Sequence, residues 1–147
     1  MKSEIPILVR YAETDRMGVV HHARYFEYLE MGRVDLMKRT GISYRELEER
    51  GALYPLVESW IRYRKPVTFD DPLTLITWYR RLTRTRVTFA YRLLTQAGAT
   101  CAEALTMHAQ IDGRGRPQPL DAAVARAVRE NLVDEDPTPS RLWTTDR

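Results

Sequence analysis

The sequence is poor in the features that define several large classes of protein. It contains a single cysteine, Cys101, which excludes an intramolecular disulfide framework and is typical of a reducing cytoplasm. No apolar run approaches the ~18 residues of a membrane-spanning helix. The apolar stretch near the start is too short for a signal peptide. We therefore expect a soluble, cytoplasmic protein.

Motifs of several enzyme classes are also missing. There is no G-x-S-x-G, no P-loop, no G-x-G-x-x-G and no H-E-x-x-H. His21 and His22 are adjacent, and neighbouring residues of a helix point about 100° apart, while His108 lies far along the chain. This spacing disfavours a metal site. Cys101 carries no signature of an activated nucleophile and is predicted to be a buried structural residue.

The composition that remains is that of one globular domain. The 147 residues are 44 % hydrophobic and 29 % charged, which is ordinary for a soluble domain with a sizeable core. The formal net charge is +3, and 23 residues are lysine or arginine. Seven of them are clustered in one stretch: Arg62, Arg64, Lys65, Arg80, Arg81, Arg84 and Arg86. Such a cluster can face an anionic ligand, nucleic acid or water. No nucleic-acid recognition motif accompanies it, so we expect no nucleic-acid partner.

The first third of the chain predicts a strand followed by a long helix. Residues 5–12 have the composition of a strand, and residues 23–39 place apolar side chains at three- and four-residue steps. Gly32 lies in the apolar face of this helix and predicts a close approach to another backbone. A short helix is predicted to begin at Ser43 and to end at Gly51.

The rest of the chain predicts an antiparallel sheet and a closing helix. Runs rich in β-branched and aromatic residues are separated by short turns, so consecutive strands should be antiparallel neighbours; they are 54–67, 73–82, 86–96 and 100–112. A helix over 120–132, capped by Asp121, then precedes a loosely ordered tail over 133–147 in which Trp143 could dock. The order predicts an α+β fold, with one long central helix wrapped by an antiparallel β-sheet.

The segment ETDRMGVVHHARYFEYLE, residues 13–30, carries the candidate chemistry. Asp15 is followed by Gly18, which permits a tight turn, and by apolar residues that would surround its carboxylate. His22 lies near the start of the long helix, where free N–H groups and the positive end of the dipole converge. A carboxylate there can act as general base or nucleophile while the N–H groups hold an oxyanion. Asp15 as a simple cap and Glu13 as the reactive carboxylate are the alternatives.

At these residues the sequence resembles the 4-hydroxybenzoyl-CoA thioesterase-like, hotdog-fold acyl-CoA thioesterases, including their Tol-Pal-associated branch. The resemblance is carried by RYAETDRMGVVHHARYFEYLEMGR, RKPVTFDDPLTL and GRGRPQPL, in that order, and covers about residues 5–132. His21 stands where an aromatic residue is common in the family, and Arg24 stands where Asn is frequent. The family implies a single hotdog domain over 1–132.

The resemblance also implies an activity and roles for individual residues. Members hydrolyse acyl-CoA or aroyl-CoA thioesters without a metal or organic cofactor. Asp15 matches the nucleophile or general base, the backbone N–H of His22 matches the oxyanion site, and Tyr11 and the His22 side chain match positions that help to set the site. The resemblance assigns Gly18, Val19 and Tyr25 to substrate binding.

The sequence therefore predicts an acyl-CoA thioesterase that assembles as a homo-oligomer, a dimer or more readily a tetramer, because its edge strands need cover. The anionic phosphates of CoA are expected to meet the basic residues Arg62, Arg64, Arg84 and Arg86. A hotdog acyl-thioester hydratase or dehydratase and a non-catalytic acyl-CoA-binding module remain as alternatives. The length and the aromatic or aliphatic nature of the acyl group are left open.

Overall fold

The computed structural model describes residues 1–137, which form one five-stranded antiparallel sheet, three α-helices and two short 3₁₀ turns. The elements are β1 (Lys2–Leu8), α1 (Tyr25–Arg39), α2 (Tyr44–Glu49), β2 (Leu56–Tyr63), β3 (Pro72–Leu82), β4 (Arg86–Thr95), β5 (Thr100–Ala109) and α3 (Ala122–Glu130). This arrangement confirms the predicted α+β class.

The strands lie in the order β1-β3-β4-β5-β2, and every neighbouring pair is antiparallel. The three hairpin-connected strands β3, β4 and β5 form the centre, as the short turns in the sequence predict. β1 and β2 are the edge strands. Because β1 and β2 each pair on one side only, the described residues leave two sheet edges open.

Helix α1 packs across the inner face of the sheet. Its buried residues, Tyr25, Tyr28, Leu29, Gly32, Leu36 and Met37, fall on one side of the helix. Gly32 lies directly against β3, where a Cβ atom would clash with Oγ1 of Thr77 and lie 2.6 Å from Cδ2 of Leu75. The glycine predicted to permit a close approach therefore lets the helix contact the sheet.

The elements flanking the site begin and end differently from their predicted bounds. β1 spans Lys2–Leu8, rather than 5–12, and the chain then makes a 3₁₀ turn over Tyr11–Glu13. The carboxylate of Glu13 accepts a hydrogen bond from the backbone N–H of Arg10 (2.7 Å), which closes this turn and ends the extended segment. A second 3₁₀ turn, His22–Arg24, precedes α1 proper.

Residues 133–137, which we call the C-terminal strap, lie on the outer face of the sheet. Val133 packs against a cluster formed by Trp78, Ala90 and Leu105. The indole N–H of Trp78 donates to the carbonyl of Glu135 (2.9 Å). Ion pairs fix the strap further: Glu135 with Lys2 and Arg92, and Asp134 and Asp136 with Arg80. The rest of the predicted tail, with Trp143, lies outside the described residues.

Candidate active site

Asp15 lies at the start of a tight turn between the two 3₁₀ turns. Its carbonyl accepts from the N–H of Gly18 (2.9 Å), and its N–H donates to the carbonyl of Val19 (2.9 Å). Gly18 has a φ of +77°, in the left-handed region that favours glycine. One carboxylate oxygen, Oδ1, accepts from the N–H of Met17 (2.8 Å). The other oxygen, Oδ2, has no hydrogen-bond partner within residues 1–137.

At the start of the helix, one amide has no hydrogen-bond acceptor among residues 1–137. The N–H of Ala23 donates to Nδ1 of His21 (3.2 Å), and the N–H of Arg24 donates to the carbonyl of His21 (2.9 Å). The carbonyl of His21 thus points along the turn toward the helix. Because the C=O and N–H of a trans peptide point in opposite directions, the N–H of the next residue points away from the helix. That amide belongs to His22, the residue predicted from the sequence.

A cleft of about 280 Å³ brings these groups together. Its lining contains the predicted residues Asp15, Val19, His22, Tyr25 and Arg64, together with Met17, Val20, Tyr63, Lys65 and Pro66. The Asp15 loop is joined to the segment after β2 by the hydrogen bond from the N–H of Val20 to the carbonyl of Val67 (2.8 Å). Gly18 shapes the turn beneath Asp15 without lining the cleft.

Tyr63, the last residue of β2, is a site residue that the sequence did not reveal. Its hydroxyl donates to the carbonyl of His22 (3.1 Å), and its ring meets that of Tyr25 edge-on at 4.9 Å. The end of an edge strand is thereby tied to the helix start. No local signal could have shown this contact, because the two residues are 41 positions apart.

Glu13, the alternative carboxylate, is used structurally. Glu13 is only 3 % exposed. Its carboxylate accepts hydrogen bonds from the hydroxyl of Tyr28 (2.8 Å) and from the backbone N–H of Arg10. Burial tends to raise the pKa of Glu13, but hydrogen bonds from the Arg10 backbone, Tyr28 and the Arg10 side chain outweigh it and lower the pKa. A carboxylate held this way anchors the loop that carries Asp15.

Of Tyr11 and the four predicted arginines, only Arg64 lines the cleft. Tyr11 is 77 % exposed, packs edge-on against Phe69 and does not line the cleft. Arg64 lies at the cleft and forms an ion pair with Glu103 (2.9 Å). Arg62 lies opposite Glu103 in the β2–β5 register.

Arg84 and Arg86 lie at the β3–β4 hairpin, at the end of the sheet opposite to Asp15. β3 has 11 residues, and at ~3.3 Å a residue this separates its two ends by roughly 35 Å. Within one chain these two arginines are therefore not near the cleft.

The described residues show neither a metal-binding cluster nor a membrane-spanning helix. Residues 1–137 contain no group of three or more His, Cys, Asp or Glu side chains placed to hold a metal ion. No helix among these residues has the length and apolar composition needed to cross a membrane.

Comparison with known proteins assigns the chain to a family. Residues 9–128 match the family model of the thioesterase-like superfamily. The chain belongs to this superfamily. The chain is 31 % identical to the 1,4-dihydroxy-2-naphthoyl-CoA hydrolase of Thermosynechococcus vestitus over 134 residues, covering 87 % of this chain and 92 % of that protein. It is 36 % identical over 110 residues to YneP of Bacillus subtilis (strain 168), provisionally named an acyl-CoA thioesterase, covering 75 % and 80 % of the two chains.

Solved structures, a thioesterase among them, share the fold. The crystal structure of the hypothetical protein TT1821 from Thermus thermophilus superposes with a TM-score of 0.84 at 36 % identity, covering 90 % of this chain and 99 % of that chain. The DHNA-CoA thioesterase of Staphylococcus aureus gives the same TM-score at 27 % identity, covering 88 % and 89 %. The hotdog fold and the family predicted from the sequence are both confirmed.

Proposed function

We propose that this member of the thioesterase-like superfamily is an acyl-CoA thioesterase that uses Asp15 and the amide of His22. The observation that carries the proposal is their placement. A carboxylate oxygen without a hydrogen-bond partner in the described part of the chain and an outward-pointing amide at a helix start belong to residues of one cleft. Thioester hydrolysis needs a nucleophile or base on one side of the carbonyl carbon and a donor for its oxygen. Family membership supports the reaction class.

In the general-base form, Asp15 takes a proton from water as the water oxygen attacks the thioester carbon. The carbonyl oxygen becomes an oxyanion held by the N–H of His22 at the positive end of α1. The carbonyl C=O double bond then reforms as the C–S bond breaks. CoA leaves as the thiolate and takes the proton from Asp15. In the nucleophilic form, the Asp15 carboxylate attacks the thioester carbon directly, the C–S bond breaks and CoA leaves as the thiolate, and water then hydrolyses the mixed anhydride to the free acid and the Asp15 carboxylate. The His22 side chain orients the thioester or the water, and Tyr11 supports the loop.

The proposed docking surface for CoA is basic. Arg64 and Lys65 line the cleft, whereas Arg84 and Arg86 lie at the far end of the sheet. Exposed charge pairs are each worth only ~0.2–1 kcal/mol. Neutralising Arg64 and Lys65 should therefore raise KM for acyl-CoA several-fold with little change in kcat, while N-acylcysteamine thioesters, which lack the phosphates, should be insensitive. The Arg84 and Arg86 pair gives the matched comparison.

We also propose that the protein is a homo-oligomer, at least a dimer. The edge strand β2 exposes Leu56, Val57 and Tyr63 together with one row of backbone groups. Pairing with β2 of a second copy would cover them, and a dimer of dimers would give the predicted tetramer. Sedimentation equilibrium at micromolar concentrations that shows only monomer would exclude this assembly.

A thiol-release assay across a panel of acyl-CoA thioesters tests the proposed activity. Release of free CoA is expected for at least one member of the panel. Loss of the conjugated double bond of an enoyl-CoA without thiol release would identify a hydratase instead. Binding of acyl-CoA with neither reaction would identify a non-catalytic module. A cytoplasmic location and independence of cofactors remain predictions from the sequence.

A further inference from the structure

His21 lies between the Asp15 turn and the start of α1, and three of its groups form hydrogen bonds that shape the helix start. Its backbone N–H donates to the carbonyl of Glu13 (2.9 Å), and its carbonyl accepts from the N–H of Arg24 (2.9 Å). Its imidazole Nδ1 accepts from the N–H of Ala23 (3.2 Å), which makes His21 the N-cap of the 3₁₀ turn that leads into α1. Two of the first amides of the helix are therefore held by one residue.

These hydrogen bonds fix the peptide group that joins His21 to His22. The carbonyl of His21 and the N–H of His22 belong to one planar unit, so the direction of the carbonyl sets the direction of the amide. The carbonyl keeps this direction while the turn brings the N–H of Arg24 to it, and the imidazole closes that turn through Ala23. The amide proposed to hold the oxyanion is thus aimed by the side chain of the preceding residue.

The imidazole of His21 reaches the site through its neighbour. His22 lines the cleft, whereas His21 does not. The centroids of the two rings are 4.1 Å apart and their planes are inclined by 33°, so the His21 ring also packs against the side chain of His22. The hydrogen bond to Ala23 is exposed, and water can satisfy this N–H if the acceptor is removed. Loss of the acceptor should therefore loosen the turn without unfolding the domain.

We propose that His21 is a positioning residue of the active site, whose Nδ1 caps the helix start and so directs the N–H of His22 at the thioester oxygen. This proposal rests on the proposed thioesterase function and adds the group that orients its oxyanion donor. Such a donor is effective only when it is oriented before the reaction begins. A phenyl ring at this position would keep the contact with His22 but offers no acceptor to Ala23. Aromatic residues are common here in the family, so the capping role belongs to the histidine of this chain.

Substitutions that separate the acceptor from the ring test the proposal. His21→Phe keeps the ring and removes the acceptor, whereas His21→Asn removes the ring and keeps an acceptor suited to an N-cap. With the best acyl-CoA of the panel, His21→Phe should lower kcat about tenfold and leave KM within about twofold, since loss of a whole oxyanion donor costs ~10²–10³-fold in kcat. His21→Asn should keep kcat within about threefold of wild type.

Ser43→Ala is the matched control, because Ser43 is also an N-cap. Its Oγ accepts from the N–H of Glu46 (3.3 Å) at the start of α2. Helix α2 follows the far end of α1, which has 15 residues and is therefore roughly 22 Å long. Ser43→Ala should lower the thermal midpoint, as the loss of a cap does, and should leave kcat and KM unchanged.

Nuclear magnetic resonance gives a second readout, which does not depend on activity. In the ligand-free protein, the residual dipolar coupling of the His22 N–H reports the direction of this bond. The coupling should change in His21→Phe and return toward the wild-type value in His21→Asn. The coupling of the Leu36 N–H, in the buried part of α1, should stay the same in both variants.

Each other outcome overturns the proposal. An unchanged kcat in His21→Phe, or a His21→Asn variant as slow as His21→Phe, shows that capping does not set the rate. A raised KM with an unchanged kcat means that His21 contacts the substrate, and an equal loss of kcat in Ser43→Ala assigns the effect to stability. If the wild-type protein releases no thiol from any acyl-CoA, the proposed function fails. An unchanged dipolar coupling of the His22 N–H in His21→Phe separately excludes the positioning of the amide.

Discussion

Replacing Asp15 with asparagine isolates the chemistry of the carboxylate from its structural role. Oδ1 accepts the N–H of Met17 at 2.8 Å, and the amide oxygen of asparagine can keep this contact. The atom that changes is then Oδ2, which has no hydrogen-bond partner within residues 1–137. The turn at Gly18 uses only backbone groups of Asp15. We therefore expect the fold and its thermal midpoint to be nearly unchanged.

The rate should fall steeply, because asparagine can neither accept the proton of water nor attack the carbonyl. Loss of a general base lowers a rate by ~10²–10⁴-fold. We expect at least the lower figure in kcat, which corresponds to about 2.7 kcal/mol of transition-state stabilisation. KM should change little, since the groups proposed to bind CoA remain in place.

Asp112 provides a matched control for this substitution. Its Oδ1 accepts the N–H of Arg114, two residues on, at 2.8 Å, as that of Asp15 accepts the N–H of Met17. Asp112 lies beyond the end of β5, far from the cleft. Thiol release from the best acyl-CoA of the panel should be unaffected in Asp112→Asn. An Asp15→Asn variant that works near wild-type speed would refute the assignment, and Glu13→Ala should slow the reaction much less.

Three further substitutions test other parts of the structure. Burial and the nearby charge of Arg33 lower the pKa of His108 to about 4 in the folded protein, against an ordinary value of about 6.5 in the unfolded chain. Between these two pH values the unfolded state binds more protons than the folded state. The free energy of unfolding should therefore fall by about 2 kcal/mol from pH 7 to pH 5. Urea unfolding of His108→Gln should lack this fall. Gly32→Ala should lower the free energy of unfolding measured in urea by about 1–3 kcal/mol, because α1 is pushed from β3, whereas Met31→Ala, exposed on the same helix, should not. Tyr63→Phe removes the hydrogen bond to the His22 carbonyl and should lower kcat several-fold with KM retained; an unchanged kcat would show that this contact does not position the amide.

Local patterns were sufficient to predict the order of the elements and the candidate residues Asp15 and His22, which the structure brings to one cleft. Alternation and short turns predict β3, β4 and β5, and the spacing from Asp15 to His22 places both beside one helix start. Contacts between distant segments were not predictable in this way. Tyr63 reaches His22 across 41 positions, and no periodicity encodes that distance.

The arginine cluster shows a different limit of the sequence. Arg64 and Arg84 are close in sequence, but the long strand β3 lies between them and carries them to opposite ends of the sheet. Tyr11 was predicted to lie within a strand over 5–12, yet a buried Glu13 closes a turn there and leaves Tyr11 exposed. Both cases depend on the three-dimensional path of the chain rather than on residue type.

The C-terminal strap also joins the two ends of the described chain. The N-terminal amine donates to the carbonyl of Asn131 (3.3 Å), and Lys2 forms an ion pair with Glu135. These two contacts couple the start of β1 to the strap, although β1 is held mainly by its antiparallel pairing with β3, and an exposed ion pair contributes only ~0.2–1 kcal/mol. In hydrogen exchange, we expect the protection of the amides at the start of β1 to follow that of the N–H of Val133, which donates to the carbonyl of Tyr79. A substitution that removes the ion pair between Lys2 and Glu135 should therefore weaken both segments, although the two residues are 133 positions apart in sequence.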